Sequence, residues 1–220
     1  MGPYSSQLKT HRFHSAIEAA ELFRTLGFTW EIIQLSAGAL DGVLKIRRSI
    51  DIVCLSVQCN RCMLFHGGRN SDYVPFCLEM NAVFQHRVRG EPVIPFGLYG
   101  FHLNLSDVFF QTEAGANFSI ILIPRNRIQQ LGALDPNGVL MESINITNNI
   151  QLSPEMFQSW IQLVDGVLND HSSGGIDTDQ MNALLLESVR AHWPRTHLGS
   201  SVIDQSLRDR ERSGALGRRK

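Results

Sequence analysis

The sequence predicts an α+β fold: a β-barrel or sandwich with a short N-terminal helix and a helical hairpin near the C-terminus. Three observations support this fold class. A helix-capping pattern lies near residue 15, short apolar runs then alternate with turn residues to about residue 123, and helical periodicity returns after residue 153. The 220 residues are 43% hydrophobic and 19% charged, which is the composition of an ordinary globular domain.

The N-terminal helix is indicated by its start and stop signals. Residues 1–14 are mostly polar and are predicted to form a flexible arm. Ser15 and Glu18 then match the capping box, in which a hydroxyl and a carboxylate accept hydrogen bonds from the first free backbone N–H groups. The apolar positions that follow end at Gly27, a residue type that commonly terminates helices.

The middle of the chain is predicted to be all β. Turn clusters such as SAG, GGRN and EAG separate its apolar runs. Several short strands at near-regular spacing are typical of a β-sandwich or barrel. Together with the N-terminal helix, these strands define a domain predicted to span residues 15–150. The runs are FTWEIIQL, GVLKI, IDIVCLSV, MLFHG, FCLEMNAVFQH, VFFQT and FSIILI.

Residues 151–195 are predicted to form the helical hairpin. Ser153 supplies a capping hydroxyl and Pro154 fits the first helical position, after which apolar residues recur at helical spacing. A second helix is predicted from about residue 177 to Pro194, because proline disfavours helix in the residue before it. Residues 196–220 end in an Arg-rich, nearly apolar-free stretch and are predicted to be a flexible basic tail.

Bulk properties argue against several classes of protein. A formal net charge of −1 and a pI near 6.7 do not favour a nucleic-acid-binding surface over the whole domain. The first fifteen residues lack the apolar run of a secretory signal, and no stretch approaches the roughly 18 apolar residues of a membrane span. We therefore predict a cytoplasmic protein without membrane contact.

The stretch CLSVQCNRCMLFH contains Cys54, Cys59 and Cys62, which raises the question of a metal or redox site. Residues three apart on a strand point to opposite faces, so Cys59 and Cys62 meet only if the chain turns between them. A zinc knuckle needs two further ligands, and a thioredoxin-type motif should open a helix, whereas strand-like residues follow here. We interpret the cysteines as packing residues.

No catalytic site is predicted. The sequence contains neither a Gly-x-Ser-x-Gly elbow nor a Walker loop, and its acidic residues are dispersed. His86 and His102 lie in apparent strands, but neither begins the His-x-His pattern of a metal-binding barrel. The expectation is a protein that is not an enzyme and that uses no metal or cofactor.

Three stretches resemble the N-terminal domain of AraC-type transcriptional regulators: QLSAGALDGVL at residues 34–44, IDIVCLSVQCNRCMLFHG, and YGFHLNLSDVFFQTEAGANFSIILIPRNRI. The resemblance covers about residues 17–195. It implies a cupin-like barrel that senses a small effector, usually without metal ligands, and a following helix pair that mediates dimerisation. The family continues into two helix-turn-helix units, whereas this sequence ends at Lys220, so the tail resembles a truncated linker and DNA reading by this chain alone is not expected.

On this resemblance, an unknown small-molecule effector is expected inside the barrel, among Trp30, Phe84 and Phe96, with His86 as a polar contact. The chain would act as a homodimer or as a mixed dimer with a full-length relative. Two alternatives remain open, a metal-dependent cupin-fold enzyme and a weak DNA binder that uses the Arg-rich tail. The predicted dimerisation residues lie on the apolar stripes of the late helices: Trp160, Ile161, Val164, Leu168, Leu184 and Leu185.

Overall fold

The computed structural model describes residues 7–48, 51–81, 86–169 and 177–191. The helices are α1 (Ala16–Arg24), α2 (Arg125–Ala133), α3 (Val139–Ile146), α4 (Pro154–Asn169) and α5 (residues 178–191). The strands are β1 (Lys9–Phe13), β2 (Thr29–Gln34), β3 (Gly42–Arg48), β4 (Val53–Cys59), β5 (Met63–Gly68), β6 (Tyr73–Glu79), β7 (Arg87–Val88), β8 (Glu91–Pro92), β9 (Gly97–Tyr99), β10 (Asp107–Gln111), β11 (Ala116–Pro124) and β12 (Asn149–Gln151).

The strands form two antiparallel sheets. The larger sheet has the order β1-β3-β4-β11-β6-β9-β12, and the smaller one has the order β2-β5-β10-β7-β8. This arrangement confirms the predicted α+β class and is consistent with a sandwich. From β1 to β6 the chain changes sheet four times, between β1 and β2, β2 and β3, β4 and β5, and β5 and β6. The consecutive strands β3 and β4 are neighbours in the larger sheet.

The larger sheet is buried on both faces. In β11 the side chains of Phe118 and Ile120 pack toward the smaller sheet, whereas Ile121 and Ile123 pack toward the helices. A strand that is buried on both sides reads as a continuous apolar run rather than as an alternating one. This explains why FSIILI and VCLSVQC carry so few charges. The molecule thus has three layers, which are the smaller sheet, the larger sheet and the helices.

The N-terminal arm differs from its prediction. Residues 9–13 were expected to be flexible, but they form β1, which pairs antiparallel with β3. Phe13 anchors this edge strand because its side chain is buried and its ring lies directly over Gly42. A Cβ atom at Gly42 would lie 2.1 Å from that ring. The prediction was wrong because an edge strand with polar outer residues resembles a loop in the sequence.

Helix α1 confirms its predicted capping signals. The hydroxyl of Ser15 accepts a hydrogen bond from the backbone N–H of Glu18 at 3.1 Å. The carboxylate of Glu18 in turn accepts one from the backbone N–H of His14 at 2.7 Å. Gly27 follows the helix with a φ of 82°, in the left-handed region that glycine adopts without a steric penalty. The helix then turns directly into β2.

The late helices cover the outer face of the larger sheet. Helix α4 begins as predicted, with the Ser153 hydroxyl accepting from the backbone N–H of Met156 at 3.2 Å. Asp177 caps α5 in the same way, accepting from the backbone N–H groups of Asp179 and Gln180. The link between α4 and α5, together with residues 192–220, lies outside the described residues. No helix in the described ranges is long and apolar enough to cross a membrane.

Most of the predicted dimerisation residues lie inside a single chain. Trp160, Val164, Leu168 and Leu185 are at most 2% exposed and belong to the core between the sheet and the helices. These four side chains were expected at an interface, and this expectation is corrected because the neighbouring sheet and helices of the same chain already cover them. The remaining two, Ile161 and Leu184, are half-buried.

The cysteine-rich stretch spans both sheets. Cys59 ends β4 in the larger sheet, and the chain turns at residues 60–62 before β5 begins in the smaller one. Cys54 and Cys59 are buried, Cys62 and Cys77 are half-buried, and all four are free thiols. Cys62 contacts the carboxylate of Glu113 at 3.6 Å rather than another sulfur. Cys54 and Cys59 therefore pack in the hydrophobic core.

Candidate functional site

A narrow cleft lies between the two sheets. The larger sheet contributes Cys77, Tyr99 and Phe118 to its walls, and the smaller sheet contributes Trp30 and Phe110. The cavity has a volume of about 50 Å³, which is room for a few water molecules. The remaining lining residues are Phe28, Arg69, Pro75, Val88, Arg89, Gly100, Leu105, Asp107, Val108, Phe109, Ile120 and Asn148.

The walls of the cleft are built from aromatic rings in mutual contact. The ring centroids of Phe28 and Trp30 lie 4.4 Å apart, and those of Phe110 and Phe118 lie 5.0 Å apart in an edge-to-face arrangement. Tyr99 extends this row, with its ring 5.9 Å from that of Phe110. Such contacts fix the ring orientations. The indole N–H of Trp30 is buried and has no hydrogen-bond partner in the described part of the chain.

Among the described residues, the charged side chains that line the cleft lie at its mouth. Arg89 and Asp107 form an ion pair of 2.8 Å there, and each side chain is about half exposed. Arg89 has a φ of 54°, a left-handed conformation that is uncommon for a residue with a side chain. Arg69 lies at the same mouth and donates to the backbone carbonyl of His102 at 2.9 Å. The interior is thus apolar and the entrance is polar.

A buried polar cluster lies behind the cleft. One carboxylate oxygen of Glu79 contacts His86 Nδ1 and accepts a hydrogen bond from the hydroxyl of Tyr99 at 3.4 Å. The exposures of Glu79, His86 and Tyr99 are 1%, 2% and 4%, respectively. Burial raises the pKa of Glu79 above its ordinary value, while the contact with His86 lowers it in part. Burial likewise raises the pKa of Tyr99, so its hydroxyl stays a donor.

The four residues that were predicted to contact the ligand do not all lie at the cleft. Trp30 lines the cleft, and His86 lies behind it with its ring against Phe110 at 5.5 Å. Phe84 falls outside the described residues. The prediction for Phe96 was wrong. Its ring centroid lies 5.3 Å from that of Phe157 of α4, in the core on the opposite face of the larger sheet.

Several cleft residues were missed by the sequence reasoning. Tyr99, Phe110 and Phe118 occupy strands that were predicted, but the direction of each side chain depends on strand register. Period-2 alternation in β11, which puts Phe118 on the same face as Ile120, was the available signal. Arg69 was assigned only to a turn, in the sequence GGRN. Its position at the cleft follows from the pairing of β5 with β10, which the sequence does not show.

A second, more polar cavity adjoins the mouth. Its volume is about 260 Å³, and Arg69 and Leu105 line both it and the cleft. Arg125, the first residue of α2, also lines this cavity and donates to the backbone carbonyls of Ser71 and Leu103, each at 3.2 Å. The other lining residues are Asn70, Ser71, Tyr73, Leu103, Asn104 and Ser106.

Comparison of the chain with protein-family models, with curated proteins and with solved structures finds no match. Within the described ranges, no three His, Cys, Asp or Glu side chains are close enough together to hold a metal ion. The functional interpretation therefore rests on the geometry of the cleft and its mouth.

Proposed function

We propose that the chain is a non-catalytic module that binds a small molecule in the cleft between its sheets, in the manner of the sensor domain of an AraC-type transcriptional regulator. The observation that carries the proposal is the aromatic cleft, which opens to a polar mouth. Apolar walls combined with a few polar groups are the usual composition of a small-molecule site. The resemblance of residues 17–195 to such sensor domains supplies the regulatory role, with a cupin-like barrel as the fold.

The chemistry of the walls favours a ligand with a flat or slender apolar body. Aromatic rings form both walls, and the deepest polar atoms, those of Glu79 and His86, already contact each other. The present volume is below the roughly 300 Å³ at which ligand sites typically begin. Binding is therefore expected to displace side chains near the entrance, where Val88 and Val108 are only half-buried.

The regulatory part of the proposal rests on association between chains. Ile161 and Leu184 are the two half-buried members of the predicted dimerisation set, one on α4 and the other on α5. The chain would associate as a homodimer or as a mixed dimer with a full-length relative. The mixed dimer would convert ligand binding into a change of transcription without DNA reading by this chain. We place this activity in the cytoplasm.

Ligand binding can be tested by blocking the cleft. Val108→Phe adds a ring at the lining, and Ile146→Phe is the matched control, since Ile146 is 65% exposed on α3 and lies outside the cleft. A panel of toluene, indole, phenol, hexanol, benzoate and phenylacetate is screened by thermal unfolding. A ligand at one hundred times its Kd stabilises the protein by about 2.7 kcal/mol.

That stabilisation should raise the Tm by roughly 5 to 10 °C in a chain of this length. The wild type and Ile146→Phe should show the rise, and Val108→Phe should not. Equal responses in all three proteins would place binding elsewhere, and no response from any member of the panel would contradict the proposal. Stoichiometric zinc, iron or manganese in the purified protein would instead support a metal-dependent enzyme.

The Arg-rich tail is tested separately, because residues 206–220 lie outside the described residues. A mobility-shift assay compares the full chain with a chain that lacks these residues, at low and at physiological salt. A shift that requires the tail would support direct DNA binding, since such contacts weaken steeply with salt. The sensor proposal predicts no shift that depends on the tail.

A further inference from the structure

Arg69 joins the aromatic cleft to the polar cavity. Its guanidinium lies at the mouth of the cleft and also lines the adjoining cavity, as does the side chain of Leu105. Arg125 lines the same cavity. A molecule that extends out of the cleft therefore enters a space bordered by two arginines.

Neither of these two arginines forms an ion pair within the described residues. The only hydrogen-bond acceptors of Arg69 and Arg125 there are neutral backbone carbonyls, those of His102, Ser71 and Leu103. The other arginines with nearby acidic groups form ion pairs, for example Arg127 with Asp51 at 2.8 Å. In the part of the chain that the structure describes, no carboxylate lies within 4.0 Å of either Arg69 or Arg125.

Keeping two like charges near each other in a partly buried place is unfavourable. Burial lowers the pKa of Arg69, and the positive charge of Arg125 lowers it further. Cys77 and Asp107 raise that pKa in part, but the carboxylate of Asp107 is already hydrogen-bonded to Arg89 at 2.8 Å. An anion between Arg69 and Arg125 would offset both the desolvation and the repulsion.

The lining around the two guanidinium groups fits an anion as well. Asn70, Asn104, Ser71 and Ser106 supply amide and hydroxyl groups at the cavity wall, and no Asp or Glu lines this cavity. The paired N–H donors of a planar guanidinium group match the two oxygens of a carboxylate. Such charge-assisted hydrogen bonds are about twice as strong as neutral ones.

We infer that the ligand is a small organic acid, whose apolar body occupies the cleft between the sheets and whose carboxylate lies between Arg69 and Arg125. This inference rests on the proposed function, because it names the chemical class of the molecule bound in the same cleft. It also explains the composition of the mouth. One arginine there, Arg89, is paired with Asp107, whereas Arg69 has no carboxylate partner in the described ranges.

The experiment compares acids with their neutral amides on the full chain. Benzoate, phenylacetate, hexanoate and octanoate are titrated by calorimetry, each beside its primary amide, and acetate and inorganic phosphate serve as anions without an apolar body. The variants are Arg69→Gln and Arg125→Gln. Arg87→Gln is the matched control, since Arg87 is exposed, carries the same charge and lines neither cavity. Val108→Phe blocks the cleft.

At least one acid should bind the wild type about tenfold or more tightly than its amide. Arg69→Gln and Arg125→Gln should each remove most of that preference, whereas Arg87→Gln should retain it. Val108→Phe should weaken the acid and the amide alike. Circular dichroism and the urea midpoint check that each variant is folded.

The outcomes separate the two proposals. Amides that bind as tightly as their acids, with no effect of either arginine variant, overturn the organic-acid inference but leave the cleft as a binding site. Acetate or phosphate binding as tightly as the aromatic acids also overturns it, since the apolar body would then contribute nothing. If no acid and no amide binds, both the inference and the proposed function fail.

Discussion

The indole N–H of Trp160 donates a hydrogen bond to the hydroxyl of Ser188 at 3.0 Å, which joins α4 to α5 inside one chain. The hydroxyl of Ser188 donates a hydrogen bond to the backbone carbonyl of Leu184 at 2.7 Å, one helical turn earlier. The side chains of Trp160 and Ser188 are both buried, so the indole N–H has its hydrogen-bond acceptor within the same chain. The apolar face of α4 therefore packs against other elements of its own chain.

Because Trp160 is buried and Ile161 is half-buried, variants at these two positions test stability and dimerisation separately. Trp160→Asp should unfold the protein, because losing a fully buried tryptophan costs about 3–5 kcal/mol and the new charge would have no partner. Ile161→Asp should remain folded and, if the late helices form the dimer, should sediment as a monomer. Gln162→Asp, the exposed next position of α4, is the matched control.

Sedimentation velocity and urea unfolding of the three variants check this prediction. Gln162→Asp should behave as the wild type in both measurements. If the wild type and the Ile161→Asp variant each form dimers, this face of α4 is not the interface. A folded Trp160→Asp variant of wild-type stability would contradict the structure of the helical layer.

The sequence allowed most elements to be predicted, but not the pairing of strands. Ser15 and Ser153 marked two helix starts correctly, because a cap is a local interaction between residues three apart. The cleft depends on which strands are neighbours and on which face each ring occupies, and these are long-range properties. Phe96 illustrates the consequence: its aromatic character suggested the ligand site, whereas its position beyond the larger sheet put it against α4.

Cys62 is predicted to be the thiol that alkylating reagents modify first. Burial raises the pKa of Cys54 and of Cys77 to about 12, and that of Cys59 to about 11. Near pH 8 the thiolate fraction of these three groups is roughly one in a thousand or less, and the thiolate is the reactive form. Cys62 is half-buried in the turn between β4 and β5.

Peptide mapping by mass spectrometry after brief iodoacetamide treatment measures the order of modification. One equivalent should add rapidly at Cys62, and Cys62→Ser should abolish this rapid phase while the other three cysteines react only in denaturant. Rapid labelling of Cys59 in the native protein would contradict the burial of β4. Addition of a cleft ligand should leave the rapid modification of Cys62 unaffected, because Cys62 does not line the cleft.

The buried carboxyl of Glu79 is predicted to make stability depend on pH. Burial raises the pKa of Glu79 in the folded state above its unfolded value of about 4.3, and the groups facing it are His86, Tyr99 and Cys77. A group with a raised folded pKa binds more protons when folded. Its contribution to stability is therefore fully present below the unfolded pKa and is lost as the pH rises through the folded pKa.

Glu79→Gln removes this titration while keeping the shape of the side chain and an oxygen that can accept from Tyr99. The free energy of unfolding of the variant, relative to that of the wild type, should rise from pH 4 upward and level off once the wild-type carboxyl is ionised. Tyr99→Phe retains the carboxyl but removes the 3.4 Å hydrogen bond that helps to lower its pKa, so its stability should fall with pH in the same direction as that of the wild type and continue to fall to a higher pH. Urea unfolding at a series of pH values measures all three proteins. Curves for Glu79→Gln and the wild type that stay parallel throughout would show that Glu79 does not titrate differently on folding, because an unchanged pKa contributes no difference in bound protons.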